Sequence, residues 1–219
     1  MPSARGKFIT FEGLDGCGKS TQMGRLAEVL RKDGYEVITA RQPGGPPIAE
    51  QIRGIVLNSR TSGLAPLAEL ALMFAARAQL IKEVIRPAVA EGKIVLVDRF
   101  TDSSEAYQGG GRGLGSETVL AVHRTICEGL DPDITVLMDS DAAASVARAR
   151  RRNVKAAEGG DDENRFELEN RAFFDRVHQA YLNIAKRDAH RVYMVDARRE
   201  PDVVHGEIVR EVRRRLAAD

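Results

Sequence analysis

The sequence predicts a three-layer α/β fold, a five-stranded parallel sheet covered by helices on both sides. Two observations carry that expectation. Five short segments rich in β-branched and apolar residues alternate with helical patterns along the chain, the order that right-handed strand–helix–strand crossovers produce. Between the first of them and the first helical pattern stands Gly13-Leu14-Asp15-Gly16-Cys17-Gly18-Lys19-Ser20-Thr21, a G-x-x-x-x-G-K-[ST] match of the phosphate-binding loop type.

The first strand is expected over residues 7–11. Gly13, Gly16 and Gly18 then let the backbone wrap so that N–H groups converge on an anion, at the positive end of a helix over 20–32. A second strand over 36–39 leads into Arg41-Gln42-Pro43-Gly44-Gly45-Pro46-Pro47, which reads as a tight turn, or as a functional loop if it lies at the ligand edge of the sheet. The strongest helical pattern runs over 66–90 through Leu67, Leu70, Ala71, Phe74, Ala78, Ile81 and Ile85, and stops at Glu91-Gly92. The third strand, 94–97, is followed by a stretch over 101–113 dense first in hydrogen-bonding side chains and then in glycine. A helix over 116–128, a strand over 134–138, helices over 142–152 and about 163–188, a strand over 192–195 and a helix over 201–216 complete the alternation. Four of the five strands lack clean polar alternation, as strands buried on both faces do.

A chain of 219 residues with a formal net charge of +1 suits one α/β domain with a sizeable core and argues against a protein that works by blanketing nucleic acid. No apolar run is long enough to span a bilayer and no signal-peptide core precedes the first strand, so a cytoplasmic location with no membrane partner is expected. The two cysteines, Cys17 and Cys127, make a disulfide framework improbable, and Cys127 reads as a buried small hydrophobe.

Open α/β sheets bind ligands beyond the carboxyl ends of their strands, where the loops after Phe11, Ala40, Val97 and Met138 converge. That edge collects a constellation. Lys19 can neutralise phosphate charge, the Ser20 hydroxyl can hold Mg²⁺, Asp98 can hold the same ion through water, and Arg99 can fork two oxygens of a second phosphate. A surface ion pair closing the strand is the plainer reading of Asp98 and Arg99. The segment 148–166 has a basic start, a Gly159-Gly160 tip and an acidic end, the composition of a mobile lid. An arginine-bearing lid excludes water and places cations against a transferring phosphoryl group; a solvated helix face or a nucleic-acid patch would use the same arginines.

The chain resembles thymidylate kinases over essentially its whole length. The resemblance rests on Phe11-Glu12-Gly13 through Lys19-Ser20-Thr21-Gln22, on Arg41-Gln42-Pro43-Gly44-Gly45, on Phe74-Ala75-Ala76-Arg77-Ala78-Gln79, and above all on Asp98-Arg99-Phe100-Thr101-Asp102-Ser103-Ser104 with Ala106-Tyr107-Gln108-Gly109 and Gly111-Arg112-Gly113. Asp131-Pro132-Asp133-Ile134-Thr135 fits as well. It implies a single phosphate-binding-loop kinase domain of the nucleoside monophosphate kinase type over 1–219, a lid at about 148–166, and transfer of the γ-phosphoryl group of ATP to dTMP with Mg²⁺, in a homodimer.

The resemblance also implies roles. Gly13, Gly16, Gly18, Lys19, Ser20 and Thr21 hold the ATP phosphates, with Arg148 on the same side and Ser20 and Asp98 at the metal. Asp15 approaches the 3′-hydroxyl or the phosphate of the acceptor, Arg99 grips that phosphate, and Arg53 joins the acceptor side. Arg77 hydrogen-bonds the thymine edge, Ser104 and Gln108 close the base pocket, and Tyr107 stands where a ribose 2′-hydroxyl would fit. Because Gly16 and Cys17 occupy the loop positions where some members carry a catalytic arginine, that arginine comes from the lid: Arg148, Arg150, Arg152 and Arg165 are the candidates, with Arg152 and Arg165 assigned to catalysis. Transfer is expected to be in line, with no covalent enzyme intermediate.

Four departures from the family pattern stand out. Gln42 replaces a usual Glu, Pro46 a Thr, Met73 a base-stacking Phe, and Asn164 an Asp. Met73 is expected to line the pocket and Phe74 to pack in the core. The alternatives are a kinase for another deoxynucleoside monophosphate and a nucleotide switch or nucleic-acid-dependent ATPase, although no Asn-Lys-x-Asp guanine-specifying run is present.

Overall fold

The computed structural model describes residues 6–157, Glu163 and 165–217, with the side chains of 152–157 left aside. Five parallel strands form its centre: β1 (Lys7–Glu12), β2 (Val37–Arg41), β3 (Ile94–Asp98), β4 (Ile134–Asp139) and β5 (Val192–Asp196), in the order β2-β3-β1-β4-β5. The apolar runs of β1, β3 and β4 are buried almost throughout because helices cover both faces, while the edge strands β2 and β5 are partly exposed. Helices α1 (Lys19–Lys32) and α9 (Pro201–Leu216) cover one face, where Leu26 and Leu30 meet Ile208 and Val212 over Ile9, Phe11, Leu96 and Val136. The opposite face buries Phe8, Val95 and Val97 under α3 (Pro66–Leu80), α4 (Arg86–Ala90) and α6 (Ser116–Ile126), and Leu137 under α7 (Ala142–Ala157) and α8 (Arg171–Arg187).

The register Phe11↔Asp98 and Glu12↔Leu137 brings β1, β3 and β4 to an end together, at the edge where the site lies. The chain moves to β2 and β3 on one side of β1 and to β4 and β5 on the other, so the crevice opens at this reversal of direction.

Four elements differ from the sequence reading. A helix, α2 (Pro47–Leu57), follows the proline-glycine loop that reads as a turn alone; Pro47 at its first position has its φ set for helix and lacks only an N–H that a helix start leaves unpaired. The pattern over 66–90 is interrupted by a π-helical turn at Ile81–Ile85, because Pro87 has no N–H for the carbonyl four residues back. The segment after β3 is helical, α5 (Thr101–Ser104) continuing as a π-helical turn at Glu105–Gly111. Its glycines serve close packing: a Cβ on Gly111 would lie 2.5 Å from the Phe173 ring of α8. Finally, α8 starts at Arg171 instead of about 163, capped by Asn170, whose Oδ1 accepts the Phe173 N–H at 2.9 Å.

Candidate active site

The glycine-rich loop between β1 and α1 turns through positive φ at Gly13 (132°), Gly16 (78°) and Gly18 (98°). Lys19 is buried beneath it and donates from Nζ to the carbonyls of Gly13 at 3.0 Å and Leu14 at 2.8 Å, so its ammonium sits inside the cradle. Ser20 donates from Oγ to Asp98 Oδ2 at 2.6 Å across the β1–β3 edge, and Asp98 Oδ1 is buried without a hydrogen-bond partner. Helix α7 closes over the loop. A Cβ at Gly16 would stand 2.3 Å from the Ser145 carbonyl, and Arg148 donates from Nε to the Gly16 carbonyl at 2.8 Å and from Nη2 to Ser145 Oγ at 2.9 Å. Lys19, Ser20, Thr21 and Arg148 thereby line one open cleft of about 1820 Å³.

A second cleft of about 650 Å³ opens beside it, lined by Met73, Ser103, Ser104, Tyr107 and Gln108 among others. The two share Asp15, Gln42, Arg53, Arg99 and Glu163, so these side chains form the wall between them. Arg99 is the centre of that wall. Its Nη2 donates to Asp15 Oδ1 at 2.8 Å and to Tyr107 OH at 3.3 Å, its Nη1 to Ser103 Oγ at 2.8 Å and Tyr181 OH at 3.1 Å. Burial alone would loosen its proton, but Asp15, Tyr107 and Tyr181 outweigh burial and hold it more firmly than in an ordinary arginine. Arg53 forks Glu163 with two bonds of 2.6 Å and reaches the Pro43 carbonyl at 2.7 Å, which draws the Glu163 carboxyl below its usual range.

The far end of the second cleft is polar but sparsely satisfied. Gln108 donates from Nε2 to the buried Glu69 carboxylate at 2.8 Å, which fixes the amide's orientation and leaves its Oε1 buried with no partner. Arg77 is fully buried, with its guanidinium 4.2 Å from the Phe74 ring, and donates from Nη2 to Gln42 Oε1 (2.6 Å), Ser104 Oγ (2.8 Å) and the Phe100 carbonyl (2.9 Å). Its Nε and Nη1 have no partner among the described residues. Burial pushes its pKa down to about 10, against the pull of Cys127, Glu12 and Asp102, and its side-chain partner Gln42 is neutral. Gln42 can play this part as an amide because its Nε2 also donates to the Met73 carbonyl at 2.9 Å, a bond a carboxylate could not make. Met73 lines the cleft and Phe74 packs in the core, buried with Leu70, Val97 and Val119.

Two of the four candidate lid arginines are engaged away from the phosphate cleft. Arg165 is turned away from the phosphate cleft: its Nη2 donates to Glu69 at 2.6 Å, its Nε to the Val56 carbonyl, and its backbone N–H to the Leu57 carbonyl at 3.1 Å, so it ties the end of the lid to α2 and α3. The physical reason is Glu69, a fully buried carboxylate that draws in Arg112 and Arg165 together. Arg150 is engaged with the carbonyls of Glu167 and Glu169. The side chain of Arg152, the Gly159-Gly160 tip and Asn164 lie outside the described residues.

Comparison with known proteins fits this geometry. A sequence model described as thymidylate kinase matches residues 11–208. The chain belongs to the thymidylate kinase family. It is 46% identical over 210 residues to the thymidylate kinase of Trichlorobacter lovleyi, covering 96% of this chain and 98% of that one. With the thymidylate kinase of Pseudomonas syringae pv. tomato it shares 48% identity over 192 residues, 88% of each chain. A crystal structure of thymidylate kinase from Ehrlichia chaffeensis superposes with a TM-score of 0.75 at 30% identity, covering 95% of this chain and 99% of that one. The enzyme is a thymidylate kinase-type phosphotransferase, passing the γ-phosphoryl group of ATP to dTMP. Among the described residues no helix is long and apolar enough to cross a membrane.

Ser103, Tyr181, Glu163 and Phe166 also surround the site and were not singled out from the sequence. Ser103 stood inside a quoted motif, whereas Tyr181 comes from α8, far along the chain, and only the packing of that helix against the glycine-rich π-helical turn brings it in.

Proposed function

We propose that the kinase holds ATP in the cleft of the glycine loop and dTMP in the neighbouring one, with the two phosphate chains meeting at Arg99 and Asp15. The observation that carries this reading is the shared wall: one arginine, hydrogen-bonded through both terminal nitrogens, lines both clefts, within a few side chains of Lys19. Lys19 and the loop N–H groups draw charge from the β- and γ-phosphates; Arg99 exchanges Asp15 for the acceptor phosphate and screens it from the incoming γ-phosphoryl group. The attacking atom is already an anionic phosphate oxygen, so no side chain needs to act as nucleophile. Arg148, anchored on the Gly16 carbonyl at the lip of the donor cleft, is the lid cation best placed to meet the equatorial oxygens, and residues 148–166 act as the lid.

Thymine is read at the far end of the acceptor cleft. The orphaned Gln108 Oε1 can accept the base N3–H, and Arg77, buried behind the cleft wall and absent from its lining, acts on the base edge through Gln42 and Ser104, whose orientation its Nη2 fixes. Met73 covers the base face by dispersion, and Tyr107, with its hydroxyl on Asp15 at 3.2 Å, takes the room a 2′-hydroxyl would need.

Ser20 and Asp98 fit Mg²⁺. Both present hard oxygen donors, Asp98 Oδ1 is unpartnered, and no cluster of three or more metal-ligating side chains stands among the described residues, as suits an ion that takes most ligands from phosphate and water. When bound there, Mg²⁺ neutralises charge on the β- and γ-phosphates. The kinase works in the cytoplasm as a homodimer in this reading.

ADP formation from Mg·ATP with separate dTMP, dUMP, dGMP, dCMP, CMP and AMP acceptors tests it. Strong turnover with dTMP and weaker turnover with dUMP is expected; preference for another acceptor would overturn the base assignment, and acceptor-independent hydrolysis the kinase itself.

A further inference from the structure

Glu12 closes β1 directly behind the catalytic wall and is fully buried, although the transfer just described gives it no task. A carboxylate in such a place needs strong donors. It has three: the Phe100 N–H reaches Oε1 at 2.6 Å, while Ser103 Oγ–H at 2.5 Å and Tyr181 O–H at 3.0 Å reach Oε2. Each hydroxyl has one proton, and although the two oxygens also lie 2.9 Å from each other, the ionised carboxylate is the stronger acceptor and draws both.

What remains on Ser103 Oγ and Tyr181 OH is lone pairs, and these are the atoms that accept from Arg99 Nη1, at 2.8 and 3.1 Å. The carboxylate therefore fixes the direction of two hydroxyl dipoles, which in turn hold one edge of the guanidinium. Arg99 needs such a grip, because its backbone sits at φ 72°, a conformation that costs a non-glycine residue about 1–2 kcal/mol, fastened by its N–H on the Phe11 carbonyl at 2.9 Å. The two edges of Arg99 are thus held differently. Asp15 binds Nη2 directly from inside the clefts and competes with any incoming phosphate, whereas neutral hydroxyls hold Nη1 without cancelling the charge.

The geometry points to Glu12 as a positioning residue for the acceptor phosphate, acting one hydroxyl removed from Arg99 through Ser103 and Tyr181. This rests on Arg99 as the group that binds that phosphate. A carboxylate touching Nη1 itself would weaken phosphate binding, and an apolar residue at position 12 would leave both hydroxyls free to turn their protons toward the arginine.

Glu12→Gln tests the assignment. The Phe100 N–H cannot turn and keeps the glutamine Oε1, so the NH₂ faces both hydroxyls and their protons must be redirected, toward Arg99 or toward each other. Steady-state kinetics with each substrate varied separately should show the dTMP KM raised about tenfold or more with the ATP KM within about twofold. Tyr181→Phe removes one link and leaves Glu12 two donors, so it should raise the same parameter by a smaller factor, and combining the two changes should give less than the product of their effects. Arg99→Gln is the reference and should raise the dTMP KM at least as far. If Arg99→Gln raises it while Glu12→Gln and Tyr181→Phe do not, the role of Glu12 is wrong; if Arg99→Gln leaves it unchanged, the assignment of Arg99 fails and the inference falls with it. Equal rises in both KM values would make Glu12 a general structural residue and overturn the proposal. Should Glu12→Gln fail to fold, the Tyr181→Phe result decides alone.

Discussion

Replacing Arg165 by alanine separates a tether from a catalytic group. The side chain donates to Glu69, which has no exposure to solvent, and to the Val56 carbonyl, and its guanidinium lies 4.7 Å from the Phe166 ring. Truncation removes one charge-assisted hydrogen bond, about 1.5–3 kcal/mol, and leaves a buried carbonyl unsatisfied, about 1 kcal/mol more. Glu69 keeps Arg112 and Gln108, so the cost stays below that of a buried charge stripped of all its partners. A loss of about 3 kcal/mol in a chain of this size lowers Tm by about 6–12 °C. Thermal unfolding followed by circular dichroism, with kcat measured well below the variant's Tm, reads both quantities. The expected result is the lowered Tm with kcat reduced less than about tenfold. An unchanged Tm with kcat lowered by 10³ or more, the scale of a lost transition-state arginine, would refute the placement.

Gly16→Ala should raise the ATP KM about tenfold or more and leave the dTMP KM nearly unchanged, because the added methyl meets the Ser145 carbonyl and α7 must lift from the loop; the left-handed backbone adds about 1–2 kcal/mol of strain. Discrimination between dTMP and dUMP rests on one methyl group, so kcat/KM for dUMP is expected to be lower by about 10- to 200-fold, and a larger gap would call for a contact the cleft does not offer. Acid should destabilise the fold. Hydrogen bonds from Arg214 and Arg215, against some burial, hold Glu211 at about 2, the His123 imidazole 3.3 Å away lowers Asp131, and a hydrogen bond from Arg53 lowers Glu163. Folded values below unfolded ones give stability that is complete above about pH 4.5 and is lost as pH falls through the folded values, so Tm should be level from neutral pH down to about 5 and drop below it. Glu12 works the other way, since burial and Asp102 raise it, and Glu12→Gln should steepen the drop; a Tm that rises on acidification would contradict this balance.

The sheet was legible because its strands are short apolar runs and its helices periodic. Legibility failed where tertiary packing overrides local habit. The run Gly109-Gly110-Gly111 reads as loop by propensity, yet it is helical, and α8 approaches Gly110 and Gly111 too closely for a side chain there. Helix α2 carried a signal, Pro47 at a helix start, hidden beside Pro43 and Gly44 in a stretch that reads as turn. At the site, the residues in contiguous motifs were legible: Asp15, Lys19, Ser20, Asp98, Arg99, Tyr107 and Gln108 gather at one edge. The Glu69 contact of Arg165 was not legible because a basic residue in a basic lid looks the same whether it faces phosphate or a buried carboxylate, and its partner is far away in the chain. Glu12 sits within the loop motif, but its use depends on Tyr181, which no spacing connects to it.

The central claim is that two clefts share Arg99 and are filled together during transfer. Calorimetric titration with adenosine and thymidine joined through five phosphates tests it most directly. Binding about 10² times tighter than either ATP or dTMP alone, displaced by both and weakened by Arg99→Gln, is the expected result. Binding no tighter than ATP and displaced by ATP alone would mean that the cleft beside Met73 and Tyr107 does not receive the acceptor.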